Sequence, residues 1–255
     1  MKKVRIIPRL DVKGSNVVKG IHLEGLRIVG KPGEMARKYY EDGADELLYM
    51  DIVASLYGRN NLVDIVKQAS DAIFIPLTVG GGIRSIENIN TLLRAGADKV
   101  AINTAVTKDP LLITRAAKMF GSQCIVVSIE AQYHGNGNWE AYTDNGREKT
   151  GLNVIEWAER VTELGAGEIL ITSIDREGTE KGYDIELIKR LSPLPIPVIA
   201  CGGAGKVEHI IDCIKYGKPD AISLASILHY KKKSIPEIKK SLFENGISVR
   251  GYHAK

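Results

Sequence analysis

Short, almost uninterrupted apolar runs alternate with longer amphipathic stretches along the whole chain. The runs predict strands at Val4–Leu10, Glu46–Asp51, Ile73–Val79, Lys99–Asn103, Ile125–Ile129, Glu168–Ser173, Val198–Ala200 and Ala221–Leu224. Strands without a polar face are those of parallel sheets covered on both sides. Punctuation predicts helices between them. Pro32 opens one and Gly43 ends it; Asp109-Pro110 and Gly121 bracket another; Ser234 with Pro236 opens the last, which Asn245-Gly246 stops. Eight βα units in 255 residues average about 32 residues each, the size of a βαβ unit.

Regular alternation without a long linker predicts one α/β domain over residues 1–255. A (β/α)8 TIM barrel has about 250 residues. Its rival, a doubly wound open sheet, usually carries a GxGxxG turn after its first strand. Here the first strand runs into Asp11-Val12-Lys13-Gly14, which does not match. An internal repeat favours the barrel. Pro76-Leu77-Thr78-Val79-Gly80-Gly81-Gly82 resembles Pro197-Val198-Ile199-Ala200-Cys201-Gly202-Gly203 at an offset of 121, and Gly43-Ala44-Asp45-Glu46 resembles Gly165-Ala166-Gly167-Glu168 at 122. Arg5–Asp11 aligns with Cys124–Glu130 at 119. One shared period predicts two half-barrels, about 1–122 and 123–255.

Composition narrows partners more than fold. With 44% hydrophobic and 26% charged residues, a disordered or collagen-like chain is excluded. A net charge of +4 and 6% aromatic residues argue against a nucleic-acid partner. No apolar run approaches the ~18 residues of a membrane span. The basic start, Met1 to Arg9, has no signal-peptide core, so a cytoplasmic location is expected. Cys124, Cys201 and Cys213 match no zinc or redox spacing and are expected to be buried thiols. Neither metal nor cofactor is expected.

The chemistry of such a barrel sits where its strands end. The repeat places Asp11 and Glu130 at equivalent strand ends, on opposite sides of the mouth. Two facing carboxylates can act as acid and base if their environments separate their pKa values; solvated loop acids are the plainer alternative. Gly80-Gly81-Gly82 and Gly202-Gly203 end the third and seventh predicted strands, where backbone amides can cradle phosphate. Asn103-Thr104 and Ala225-Ser226 can complete each nest, so a ligand phosphorylated at both ends is expected, with ordinary βα turns as the alternative. Residues 12–31 form a long basic loop with Lys13, Lys19, His22 and Arg27, suited to a lid. Residues 131–151 suit a small hairpin beside the mouth. At the other end, Arg5, Glu46, Lys99 and Glu168 stand at strand starts, where balanced charges can form either a structural ring or a polar gate.

Further motifs are Arg5-Ile6-Ile7-Pro8 with Leu10-Asp11-Val12-Lys13, Val18-Lys19-Gly20, Gly96-Ala97-Asp98-Lys99-Val100, Ser173-Ile174-Asp175-Arg176 and Gly202-Gly203-Ala204-Gly205-Lys206. With these the chain resembles, over essentially its whole length, the HisF family of imidazole glycerol phosphate synthase cyclase subunits. The resemblance implies a heterodimer with a HisH-like glutaminase at the foot of the barrel and passage of ammonia through a gate. At the mouth, ammonia would react with the bis-phosphorylated PRFAR to give imidazole glycerol phosphate and AICAR. Asp11 matches a catalytic aspartate, Lys19 the lid lysine, and Arg5, Glu46, Lys99 and Glu168 the gate. Asp98 matches a glutaminase-interface residue. Gly82, Asn103 and Thr104 match one phosphate site, and Gly203, Ala225 and Ser226 the other.

Four positions depart from the family pattern. Glu130 replaces the second catalytic aspartate, Gln132 a lysine, Arg9 a cysteine and Cys201 a serine. The departures resemble HisF paralogues of saccharide-biosynthesis loci, proposed to supply ammonia to an N-acetyl-sugar amidotransferase. That specialised conduit is the leading expectation, a genuine cyclase the alternative, and a sugar-phosphate isomerase on the same fold a third class.

Overall fold

The computed structural model describes residues 3–52 and 62–251. Strand β1 (Arg5–Lys13) runs into an antiparallel hairpin, β2 (Asn16–Ile21) and β3 (Glu24–Gly30), then helix α1 (Pro32–Glu41) and β4 (Leu47–Asp51). Next come α2 (Leu62–Ser70), β5 (Leu77–Gly80), α3 (Ile86–Arg94), β6 (Lys99–Ile102), α4 (Thr104–Lys108) and α5 (Leu111–Phe120). The pattern then repeats. Strand β7 (Ile125–Tyr133) runs into a second hairpin, β8 (Trp139–Thr143) and β9 (Glu148–Asn153), followed by α6 (Val154–Glu163) and β10 (Glu168–Ser173). The chain ends with α7 (Ile185–Leu191), β11 (Val198–Cys201), α8 (Val207–Asp212), β12 (Ala221–Leu224), α9 (Ser226–His229) and α10 (Ile235–Glu244).

Eight of these strands pair in parallel and close on themselves as a (β/α)8 barrel, in the order β1, β4, β5, β6, β7, β10, β11, β12. Alternation divides each strand between two cores. On β1, Ile6 and Leu10 face out and pack with Ala36 and Tyr39 of α1. Ile7 joins Leu48, Ala101, Val126, Leu170, Ile199 and Ala221 in an apolar belt inside the barrel. The same alternation turns Arg5, Arg9 and Asp11 into the lumen, all of them buried. Among the described residues no helix is long and apolar enough to cross a membrane.

The structure moves several expected boundaries. The third strand starts at Leu77, not Ile73, because Pro76 has no N–H for a ladder and Phe74 is 82% exposed. The first and fifth strands run past their expected ends because those ends pair antiparallel, Asp11 with Val18 and Glu130 with Tyr142. The expected long loop at 12–31 is the β2–β3 hairpin. Helix α5 begins one residue later than its proline suggested, with Pro110 at the cap position. Cys201 and Cys213 are buried, but Cys124 is half-buried where a short 3-10 turn meets β7. Ser234 and Glu237 form the reciprocal cap that opens α10.

Lys239 of α10 is buried and fully bonded, donating to Asp45 Oδ1 and Gly43 O at 2.8 Å and to Arg250 O at 2.9 Å. Asp45 in turn accepts from the Ile6 amide at 2.7 Å, so this lysine ties the last helix to the first strand. Breaking a buried pair from one side leaves an uncompensated charge. Lys239→Met is expected to lower unfolding free energy by about 3 kcal/mol in urea titrations, with little change for Lys240→Met, whose partner Glu244 is exposed.

Candidate active site

At the strand starts, four charges close a square. Arg5 donates through Nη1 to Glu46 Oε1 at 2.7 Å and through Nη2 to Glu168. Lys99 Nζ donates to Glu46 Oε2 and Glu168 Oε2, both at 3.0 Å. Each cation bridges both anions, and these four side chains are the layer beneath the apolar belt. Burial alone would raise the Glu46 carboxyl, but Arg5 and Lys99 hold it below the usual carboxylate range. Asp98 lies exposed beside this end, and its Oδ2 accepts the Leu77 amide at 2.8 Å. Asp45 and Asp220 make the same bond to Ile6 and Val198, so part of what Asp98 does is to start a strand.

At the strand ends a second alternating series crosses the lumen. Arg9 Nε donates to Asp11 Oδ1 at 2.7 Å, and Arg9 Nη1 reaches Thr172 Oγ1 at 3.1 Å and Cys201 Sγ at 3.4 Å. Asp11 Oδ2 lies 3.7 Å from Lys19 Nζ, which is paired with Glu177. All four charged residues are buried. Burial would push the Asp11 carboxyl up, but the adjacent Arg9 and Lys19 charges, with the Arg9 hydrogen bond, outweigh it and hold it down. Lys19 is lowered, by burial first and by Arg9 as well.

Glu130 differs. It is buried, and its Oε2 accepts the Gly146 amide at 2.8 Å. Burial pushes it up to about 7; the Gly146 bond and Arg9 oppose this, while Asp144 and Asp11 add to it. Glu130 lies on a cavity of about 420 Å³ with Gly81, Gly82, Asn103, Thr104, Arg9 and Asp51 among its walls. Asn103 Nδ2 is engaged with Tyr142 O at 3.0 Å and Thr104 Oγ1 takes the Asp144 amide at 3.4 Å, which ties this nest to the β8–β9 hairpin.

The other nest is nearly shut. Gly203, Ala225 and Ser226 line a space of about 20 Å³ with Lys19, Glu177 and Ser223, whose buried hydroxyl has no partner. The β2–β3 hairpin holds it closed. Its tip bonds through His22 N to Glu177 O and through His22 Nδ1 to Ile174 O, both at 2.8 Å. Leu23 packs against Tyr142 and Ile174. The nest glycines also answer to packing: a Cβ on Gly203 would lie 2.1 Å from Gly182 O, and its φ is +106°.

The structure therefore gathers Glu130, Gly82, Asn103 and Thr104 around one cavity and Lys19, Gly203, Ala225 and Ser226 around another. Asp11 lines neither. Of the four departures, Arg9 touches Cys201 and shares a cavity with Glu130, whereas Gln132 sits opposite Glu140 in the β7–β8 ladder. The sequence reading did not single out Glu177; its one signal was its place next to Asp175-Arg176 after an expected strand end. Among the described residues no group of three or more His, Cys, Asp or Glu is placed to hold a metal ion.

Fold and site together define a (β/α)8 barrel with a charged ring at its foot and glycine-lined cavities at its mouth. Residues 5–234 match the histidine biosynthesis protein family. The chain is 63% identical over 209 residues, 82% of its own length and 99% of the relative, to imidazole glycerol phosphate synthase subunit HisF of Legionella pneumophila. It is 52% identical over 248 residues to the subunit of that name from Geobacillus kaustophilus, covering 96% of this chain and 98% of the relative. The one from Nostoc is 49% identical over 256 residues, covering 99% of each. The chain belongs to the histidine biosynthesis protein family and, within it, to the HisF proteins.

Glu130 makes stability depend on pH in a calculable sense. With a folded pKa of about 7 against an ordinary 4.5, the folded state keeps its proton longer than the unfolded chain. Its contribution is complete below 4.5 and is lost as pH rises through about 7, a fall of roughly 3 kcal/mol. Glu130→Gln is expected to flatten that fall in denaturant titrations run from pH 4.5 to 7.5.

Proposed function

We propose that this chain is the cyclase subunit of an imidazole glycerol phosphate synthase, using ammonia from a HisH-like glutaminase to convert PRFAR to imidazole glycerol phosphate and AICAR. The observation that carries the reading is the pairing of two unlike ends on one lumen. A four-charge ring stands at the foot, and a glycine-lined cavity of about 420 Å³, faced by a buried carboxyl raised to about 7, stands at the mouth. The names of the relatives support it over the saccharide reading. In this reading the ring of Arg5, Glu46, Lys99 and Glu168 is the ammonia gate and exposed Asp98 contacts the glutaminase. Gly82, Asn103 and Thr104 hold one substrate phosphate; Gly203, Ala225 and Ser226 hold the other once the Lys19 hairpin lifts. Asp11 and Glu130 are the two carboxyls that act on the substrate. The hairpin repeated after β1 and β7 supports two half-barrels within one domain, 1–122 and 123–255.

One observation favours a second reading, a dedicated conduit that hands ammonia to an N-acetyl-sugar amidotransferase. Arg9 fills the lumen next to Asp11 and takes up one of its oxygens. An isomerase has no use for a gated foot, and nothing else supports that class.

Purified chain with PRFAR and ammonium salt should release AICAR at an enzymic rate, and no release from folded protein favours the conduit. A displacement near 1 Å can cost ~100-fold in rate, so Glu130→Asp is expected to preserve or raise turnover in a cyclase adapted to the family's shorter acid. If the wild type is inactive, Glu130→Asp with Gln132→Lys, Arg9→Cys and Cys201→Ser should create AICAR release; no gain with intact folding refutes these positions as the switch. On mixing, the HisH-like glutaminase should co-elute with the chain and turn over glutamine faster.

A further inference from the structure

Arg9 is the least expected side chain in the lumen, and the mouth is organised around it. Its guanidinium reaches from β1 to Thr172 on β10 and Cys201 on β11, so it lies across one half of the barrel. On that side lies the 20 Å³ space, while the side formed by β4 to β7 holds the 420 Å³ cavity. Asp11 is on the filled side. Arg9 takes one of its oxygens at 2.7 Å and Lys19 faces the other at 3.7 Å. Arg9 itself forms part of the large cavity's wall, between Asp11 and the open space, and Glu130 faces that space directly.

We propose that Arg9 is a positioning residue that gives the two mouth carboxyls different work: it pins Asp11 as a fixed anion and leaves Glu130 as the group that moves a proton. The proposal rests on the reading of this mouth as a reactive site and deepens it. A carboxylate hydrogen-bonded to a buried guanidinium at 2.7 Å, with an ammonium 3.7 Å from its other oxygen, is held in its ionised form by two positive charges. It can offset positive charge developing nearby, but it is a poor proton donor. Glu130 has the complementary surroundings. Around it are the Gly146 amide, Arg9, Asp144 and Asp11, and among the described residues no ion pair reaches it. Around Asp11 are Arg9 on its own strand, Lys19 from the hairpin, His229 from α9, and Glu177 behind Lys19. His229 is lowered to about 4, mainly by burial, and so stands neutral beside them at physiological pH. Asp51, Arg84, Lys108 and Asp109 line the far side of the Glu130 cavity.

The test needs no substrate. The whole chain, carrying carboxyl-13C aspartate and glutamate, is titrated by NMR, with Asp11→Asn and Glu130→Gln assigning the two signals. In the wild type, Asp11 should stay ionised from pH 8 down to below the ordinary aspartate range, and Glu130 should titrate near 7. In Arg9→Met the Asp11 midpoint should rise by about 1 to 3 pH units. Arg9→Lys, which keeps the charge but loses the fork, should recover part of that rise, a result that a purely space-filling Arg9 would not give. Asp11 titrating above Glu130 in the wild type overturns the proposal without any variant. So does a folded Arg9→Met whose Asp11 midpoint has not moved. Absence of AICAR formation would remove the cyclase reading and leave these titrations unaltered.

Discussion

A charge buried inside a closed barrel has no water to turn to, so it needs its opposite within reach. This chain meets that constraint with two alternating quartets at opposite ends of one lumen. At the foot, Arg5, Glu46, Lys99 and Glu168 form a closed square. At the mouth, Arg9, Asp11, Lys19 and Glu177 form an open series from strand to hairpin to loop. Neither is a source of great stability, because desolvation offsets most of the attraction. Each does fix geometry, because losing one member strands another.

The two quartets act differently on what surrounds them. The square is complete within the barrel wall and depends on no movable element. The mouth series enlists the β2–β3 hairpin through Lys19, so the pairing of buried charges adds to the His22 bonds and the Leu23 packing that hold that hairpin against the mouth. Beneath it, one glycine-lined space is about 20 Å³, while the cavity at the other glycine turn is about 420 Å³. The half-barrel repeat makes the two nests chemically alike, and it is pairing that makes them unequal. Glu130 stands outside both quartets, which is why its carboxyl is raised and Asp11's is not.

Much of this was legible in the residues. The eight parallel strands were visible as apolar runs, because strands covered on both faces need no polar alternation. Charges at strand starts showed as a balanced set, and the square is what two cations and two anions form when nothing else is near. The second hairpin was legible through the alternating Trp139-Glu140-Ala141-Tyr142 and through Gly135, Gly137 and Gly146, all three at positive φ. The first was hidden. Its two-residue turn is His22-Leu23, both at positive φ, and neither residue advertises such a turn. Arg9 stood out as a departure and Asp11 as a candidate acid, but their pairing did not. Only the alternation of β1 seen in the closed barrel shows that Arg9 and Asp11 share a face. Glu177 became visible only as the buried counter-charge that Lys19 requires.

The central claim is that one lumen joins a gated foot to a reactive mouth. It is tested most directly by turnover of the assembled glutaminase complex carrying Lys99→Ala, driven once by glutamine and once by added ammonium salt. Lys99 belongs to the foot alone, so the account predicts that glutamine-driven turnover changes severalfold while ammonium-driven turnover stays at the wild-type rate. Equal changes in both, with the complex intact, would contradict it.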